Sequence, residues 1–389
     1  MSSERVVVFV AGTSWDGVPG SDRRLATALC RHTPVLWVDP PVSAATPARY
    51  RHGQPRRLTP VLRRVDQRLT RLTPVGLPGL SRPGARAVTW WLVRAQIRRA
   101  LRRLGVRPCA VLAASLDDVL GRWGADVRDV LYGTDDYVAG AGLMGQRAAR
   151  LAREERRQLA RADVVLAVSP PLADRWADLG ARPVLVPNGV EVGAYATVDT
   201  APVPIGVGDL PEPVVGLVGQ LSDRIDCALL EAVADRECSL LLVGPHEPHW
   251  LPERFAALVA RPNVTWVGRR PFVELPSYLR VMSVGITPYR DTPFNRASFP
   301  LKTLEYLAAG LPVVSTDLPA VGWLGTDLVA TASEPVSFAQ KVLAAAGTRR
   351  VPELVRRRRE FAARHSWRCR ADQVAEVIGL DGAVSTGPQ

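Results

Sequence analysis

The chain has 389 residues, 47% hydrophobic and 23% charged, with a net charge of +12, an ordinary composition for two or three folded domains that excludes general disorder. Its five cysteines, Cys30, Cys109, Cys227, Cys238 and Cys369, form no CxxC pair, which argues against a zinc knuckle or a disulfide framework and for buried thiols in a reducing cytoplasm. The opening apolar run VVVFVA is too short for a signal peptide, and no run approaches the ~20 residues that span a bilayer, so a soluble or peripheral protein is expected.

In chain order, the first half offers the apolar runs RVVVFVAG, VLWVDP, AVLAAS, DVLYGT, DVVLAVS and PVLVPNG, interleaved with helical patterns. Runs apolar almost without alternation are strands covered on both faces, and their interleaving with helices predicts an α/β architecture of parallel sheets. After the first run, GTSWDGVPG places Trp15, Asp16 and Gly17 in a loop where a sugar could be stacked upon and hydrogen-bonded; a plain tight turn explains the run almost as well.

Residues 49–107 hold sixteen arginines against one acid, Asp66, a field that draws nucleic acid, anionic lipid or a phosphorylated ligand. Within this segment an irregular Pro-rich part is expected to precede the helix RAVTWWLVRAQIRRALRRLG. Trp90, Val93, Ile97, Leu101 and Leu104 fall at helical spacing, and Arg94, Arg98, Arg99, Arg102 and Arg103 cover the remaining faces. The helix reads as core-packed with a solvated basic side, or as amphipathic at an anionic membrane.

LYGTDDY sets Asp135 and Asp136 at the end of a strand, where either carboxylate could orient a hydroxyl or the two could simply cap a helix. A Pro/Gly-rich interruption at 199–213 suggests a linker near 196–212, after which PVVGLVGQL, SLLLVGP, NVTWVG, SVGITPY and PVVSTDL restart the alternation. HEPHW spaces His246 and His249 three apart, but Pro248 breaks any helix that would align them; a surface loop is expected rather than a metal site.

Only two lysines occur, and one, Lys302, lies in FNRASFPLKTLEYLAAGLPVVSTDL. This stretch predicts a loop, then a helix with Pro300 in its first turn, Gly310 just past its end and Pro312 opening the next strand. The N-terminus of such a helix points at the carboxyl ends of the strands and favours an anion, with Ser298 placed to cap it. Lys302 suits a phosphate there. Glu305, one turn deeper on the same face, suits two sugar hydroxyls, so that together they describe a nucleotide diphosphate; a plain Lys–Glu surface pair is the alternative. In VGQLSDRID, Gly219 lets the backbone come close to a ligand and Arg224 adds a cation.

Six segments, ADVVLAVSPPLADRW, PVLVPNGVEVGAY, VVGLVGQLSDRID, LLLVGP, NVTWVGRRPFVELPSYLRVMSVGITPY and SFPLKTLEYLAAGLPVVSTD, follow in an order and spacing that resembles the GT-B glycosyltransferases. The resemblance is to the large group that contains the retaining nucleotide-sugar transferases of bacterial envelope and natural-product assembly. It implies two Rossmann-like doubly wound domains facing across a cleft: residues 1–196 for the acceptor, 197–366 for the nucleotide sugar, and 367–389 as a crossover helix from Trp367 with a disordered tail.

The same resemblance implies diphosphate contacts at Gly219, Gln220 and Arg224, phosphate contacts at Ser298, Pro300, Leu301 and Lys302, the ribose at Glu305, and Arg269 and Arg270 beside the base. Asp135 or Asp136 would serve the acceptor hydroxyl or the cationic sugar. The implied reaction moves a sugar from a nucleotide diphosphate sugar to a hydroxyl of a glycan, lipid-linked or natural-product acceptor, with retention and without a metal or other cofactor. Two departures stand out: Ala297 replaces the first of two glutamates common in relatives, and Gln220 replaces a usual arginine, with Arg224 where a lysine is usual.

A nucleotide-sugar epimerase would bind the same donor. A basic nucleic-acid-binding protein would share the charge, but aromatics do not alternate with the basic residues and no nucleic-acid module is present, so no nucleic-acid partner is expected.

Overall fold

The computed structural model of the chain describes residues 4–17, 19–43, 59–79, 82–142 and 144–380. The chain divides into two compact units, Met1–Asn188 together with Trp367–Gln389, and Gly189–Ser366.

The first unit contains β1 (Arg5–Val10), β2 (Val35–Val38), β3 (Val61–Asp66), β4 (Leu69–Thr73), β5 (Arg107–Ala113), β6 (Arg128–Gly133), β7 (Val164–Ala167) and β8 (Pro183–Leu185). They form one sheet in the order β3-β4-β2-β1-β5-β6-β7-β8, parallel throughout except for the β3–β4 hairpin. One face packs Val7, Phe9, Trp37, Leu112 and Leu166 against Leu25 and Leu29 of the helix Ser21–Leu29. The same core takes in Trp367, Ala371, Val374 and Ala375 of the helix Trp367–Val377. Asp372 and Gln373 of that helix bond His32 Nε2 and the Leu185 carbonyl, each at 2.8 Å.

The hairpin replaces the irregular segment expected over residues 61–73. Arginines hide its alternation: Arg63 and Arg64 are exposed on the edge strand, where charge protects an unpaired edge. Arg71 is buried on β4 because Asp39 and Asp16 neutralise it, at 2.6 and 2.7 Å. In the helix Pro83–Leu104, Trp90, Val93, Ile97 and Leu101 are buried as their spacing predicts. Leu104, in the last turn, is exposed instead, and Arg94 is buried instead of solvated because its guanidinium bonds Asp118.

The second unit contains β9 (Val214–Val218), β10 (Ser239–Val243), β11 (Val264–Trp266), β12 (Val284–Thr287), β13 (Val313–Ser315) and β14 (Val329–Thr331). All are parallel, in the order β11-β10-β9-β12-β13-β14, the doubly wound arrangement whose strand order reverses between β9 and β12. Residues read as part of a linker are folded here. Of these, Ala201 and Val207 are buried, and just before them the Val190 N–H bonds the His365 carbonyl at 2.8 Å and Tyr195 packs edge-on against Phe272.

Among the described residues no helix is long and apolar enough to cross a membrane. Four of the cysteines are buried or half-buried, whereas Cys369 is exposed. The expected disordered tail, 381–389, lies outside the described residues, as do Arg49, Arg51, Arg56 and Arg57.

Candidate active site

In open parallel sheets a ligand binds beyond the carboxyl ends of the strands where their order reverses. At that point β9 and β12 pair only at Val215–Val284 and Gly216–Gly285. Tyr306, from the helix Leu301–Ala308, stands between them: its hydroxyl accepts the Val218 N–H at 2.7 Å and faces the Ile286 carbonyl at 3.4 Å. A Cβ at residue 285 would come within 2.4 Å of its ring, so glycine is required there. Burial raises the phenol's pKa and keeps it neutral. The helix that carries Lys302 is thereby fastened to the strand that feeds the Gly219 loop.

That loop continues the sheet's ladder past its strands. Gly219 N–H bonds the Val243 carbonyl and Gly244 N–H bonds the Gly268 carbonyl, both at 2.9 Å. Gly244 has φ +154, and a Cβ on it would lie 1.7 Å from the Gly219 oxygen. No other residue fits.

Arg224 is held from three sides. Its guanidinium lies 4.9 Å from the Phe294 ring centroid and 5.1 Å from that of Tyr289, and its Nε donates to Asn295 Oδ1 at 2.9 Å. Asn295, only 2% exposed, uses Nδ2 to bond the carbonyls of Arg224 and Arg290, at 3.1 and 2.9 Å. Thr292 caps the short helix Pro293–Ala297 by accepting the Asn295 N–H at 3.1 Å. Among the described residues only Nε of the Arg224 fork is hydrogen-bonded, so both Nη groups keep donors for a ligand.

Lys302 lies in the first turn of Leu301–Ala308, and its Nζ donates to Glu305 Oε2 at 2.7 Å. The pair uses one of three ammonium donors and one carboxylate oxygen, leaving both groups able to bond further. Pro300 stands at the cap, one position before the helical residues. Ser298 does not cap this helix: its Oγ donates to the Phe294 carbonyl at 2.8 Å, closing the preceding helix. Residues 293–297, read as loop, are that helix.

Gln220 bonds Glu247 through Nε2. Arg269 and Arg270 are exposed in the loop after β11, with Arg270 over the Tyr278 ring at 5.6 Å. His246 belongs to an aromatic cluster rather than a surface loop, stacked on Phe255 at 4.0 Å with Nε2 2.8 Å from the Trp250 carbonyl; His249 is exposed. Among the described residues no group of three or more His, Cys, Asp or Glu could hold a metal ion.

The first unit's sheet also reverses order, between β1 and β5. There Trp15 is 8% exposed, covered by the Arg23 guanidinium at 4.2 Å and set edge-on against Trp37. It is a core residue, not an open platform for a sugar. Asp39 accounts for this: it accepts the Trp15 N–H, Trp37 Nε1, Arg71 Nε and Thr73 Oγ. Asp16 pairs with Arg71, and Gly17 N–H closes a turn on the Ser14 carbonyl. Buried Asp22 accepts from the Thr13 backbone and hydroxyl and from the Arg23 N–H, while burial raises its pKa.

Asp136 is 7% exposed. It accepts the N–H groups of Val138 and Ala139 and pairs with Arg175 at 3.0 Å, the arrangement of a capping residue. Asp135 is half-buried beside it.

The contributors missed from sequence are Tyr306, Asn295, Phe294 and Tyr289 in the second unit and Asp39 and Asp22 in the first. Each acts through contacts between segments distant in the chain, and only their proximity to strand ends could have suggested them.

Residues 212–347 match the family model of glycosyl transferases group 1. A protein of Bacillus subtilis (strain 168) named for glycosyl transfer in teichuronic acid biosynthesis, TuaH, is 31% identical over 203 residues, which is 50% of this chain and 50% of that protein. The match thus spans about half the length of this curated relative.

Among solved structures, sucrose-phosphate synthase from Thermosynechococcus elongatus aligns with a TM-score of 0.70 and 17% identity, covering 98% of this chain and 100% of that one. HepE of Anabaena, crystallised with UDP and glucose, aligns with a TM-score of 0.63 and 15% identity over 97% and 99%. An α,α-trehalose-phosphate synthase (UDP-forming) from Burkholderia vietnamiensis gives 0.65 and 14% over 97% and 100%. With both sheets doubly wound, the chain has the GT-B fold of two Rossmann-like units, and it is the second unit that carries the match to glycosyl transferases group 1.

Proposed function

We propose that this protein is a glycosyltransferase that moves a sugar from a nucleotide diphosphate sugar to a hydroxyl of a glycan, lipid-linked or natural-product acceptor, with retention. The observation that carries the reading is the pair of stitched loops at the β9/β12 reversal, which present the Arg224 fork and the Lys302 helix together. Breaking the bond to the diphosphate builds negative charge on the leaving oxygen. Pre-positioned cations and a helix N-terminus stabilise that charge without reorganising.

In this reading Lys302 and Arg224 serve the leaving phosphates. Gly219, Gln220, Ser298, Pro300 and Leu301 line the diphosphate, Glu305 takes the ribose, and Arg269 and Arg270 flank the base. Asp135 or Asp136 serves the acceptor hydroxyl or the cationic sugar. The unit of residues 1–188 would bind the acceptor and that of residues 189–366 the donor. HepE, solved with UDP and with UDP-glucose, makes a uridine nucleotide the first donor to try, and TuaH's name supports a glycan acceptor. No metal is needed, since the fixed cations occupy its role. The basic stretch Arg49 to Arg107 suits peripheral attachment to the inner face of an anionic membrane.

The test is thermal shift of the purified protein with UDP, GDP, ADP, CMP and dTDP, with and without EDTA. One nucleoside diphosphate should raise the midpoint, by up to ~2.7 kcal/mol of stabilisation at 100 times its Kd, and EDTA should leave the response unchanged. Lys302→Ala should keep the melting temperature of the unliganded protein and lower turnover about 100-fold. A protein indifferent to every nucleotide would overturn the proposal.

A further inference from the structure

The helix Pro83–Leu104 contains no acidic residue, and the structure sorts its arginines into two sets. Arg86 pairs with Asp117 and Glu154, Arg94 with Asp118, and Arg98 lies over Trp123 while bonding the Arg122 carbonyl. Arg99, Arg102 and Arg103 are exposed, and among the described residues no acid pairs with them.

The exposed face has a second property. Val88, Trp91, Ala95, Arg99 and Arg102 follow one another at three- and four-residue steps, so they form a single stripe down the outside of the helix. Its first half is apolar: Trp91 is 61% exposed and Val88 46%. Two large hydrophobic side chains open to water one helical turn apart mark an interaction surface.

We infer that this stripe docks on an anionic lipid surface, with Trp91 and Val88 in the headgroup layer and Arg99, Arg102 and Arg103 on lipid phosphates. An apolar end containing tryptophan beside unneutralised arginines is the chemistry of an interfacial helix. Nucleic acid would meet the arginines but leave Val88 and Trp91 without an apolar counterpart. A second copy of the chain would set the arginines against each other or against apolar side chains, gaining no complementary charge.

The experiment is flotation of the full-length protein with vesicles of phosphatidylcholine alone and of phosphatidylcholine mixed with phosphatidylglycerol. The wild type should float with the mixed vesicles only. Reversing three arginines together (Arg99→Glu, Arg102→Glu, Arg103→Glu) should lower partition by about 100-fold or more, at ~1 kcal/mol for each arginine lost, and Trp91→Ala should lower it several-fold. Both variants should keep the wild-type melting temperature and nucleotide response, which separates docking from folding and from the donor reading.

A wild type that ignores both vesicles removes this inference together with any membrane attachment. A wild type that floats while both variants float equally removes this surface alone. Equal flotation on neutral vesicles, a dimer that Trp91→Ala dissolves, or salt-sensitive binding to duplex DNA in place of vesicles would each also overturn it.

Discussion

Asn295 carries the most specific prediction at the scale of single residues. Its amide holds the Arg224 side chain with one end and the backbone of two loops with the other, so it aims the fork without having to touch a substrate itself. Asn295→Ala should lower turnover about tenfold while leaving KM for the donor nearly unchanged. In an Arg224→Ala background the same change should cost little more, because residues that act as a unit are non-additive by ~0.5–3 kcal/mol. Equal losses in both backgrounds would make Asn295 a folding residue only. Sequence pointed to Arg224 and Lys302, since cations beside strand ends advertise themselves, but it could not choose between Ser298 and Asn295 as the polar residue that organises the turn. Either can hydrogen-bond backbone, and which one does depends on a loop 71 residues away. Trp15 misled for the complementary reason: an aromatic beside an aspartate looks like a sugar platform until Asp39 is seen holding its N–H and Arg23 covering its ring.

At the scale of elements, the loops after β9 and β10 separate shape from binding. A methyl group at residue 244 would collide with the Gly219 oxygen, whereas one at residue 219 has nothing within 4 Å. Gly244→Ala should therefore melt several degrees lower by shifting the loop. Gly219→Ala should melt like the wild type and lose nucleotide-induced stabilisation, because its methyl group would stand where the diphosphate approaches. Paired melting curves with and without UDP decide this, and a Gly219→Ala protein with the full UDP response would place the diphosphate elsewhere. The strands were legible wherever both faces are buried, as in β1, β2, β9 and β10, because burial on both sides enforces unbroken apolar runs. The β3–β4 hairpin was not legible. Its pattern survives only through ion pairs made with Asp39 and Asp16, which no local reading of VLRRVDQRLTRLT contains.

For the whole molecule, the helix Trp367–Val377 decides what counts as a unit. Its Trp367, Ala371, Val374 and Ala375 lie in the core of the first unit, although the entire second unit separates them in sequence from the strands they cover. A chain ending at Ser366 should melt about 10 °C lower or more in its first unit, since losing a buried tryptophan alone costs ~3–5 kcal/mol and each kcal/mol shifts a domain of this size by ~2–4 °C. Residues 189–366, contiguous and with their own core, should fold alone and show an unchanged transition by calorimetry. A truncated protein that melts like the full chain would show the helix to be dispensable.

The same helix gives the molecule an order of birth. Ribosomes deliver the first unit's strands early but its covering helix only after every residue of the second unit has emerged, roughly 10–40 s later at ~5–20 residues per second. During that interval Leu25 and Leu29 can already pack on the sheet, but the part of the core that Trp367, Ala371, Val374 and Ala375 fill stays open. The unit begun first is the unit finished last, and the nascent chain must keep that face from sticking to its neighbours until the helix emerges.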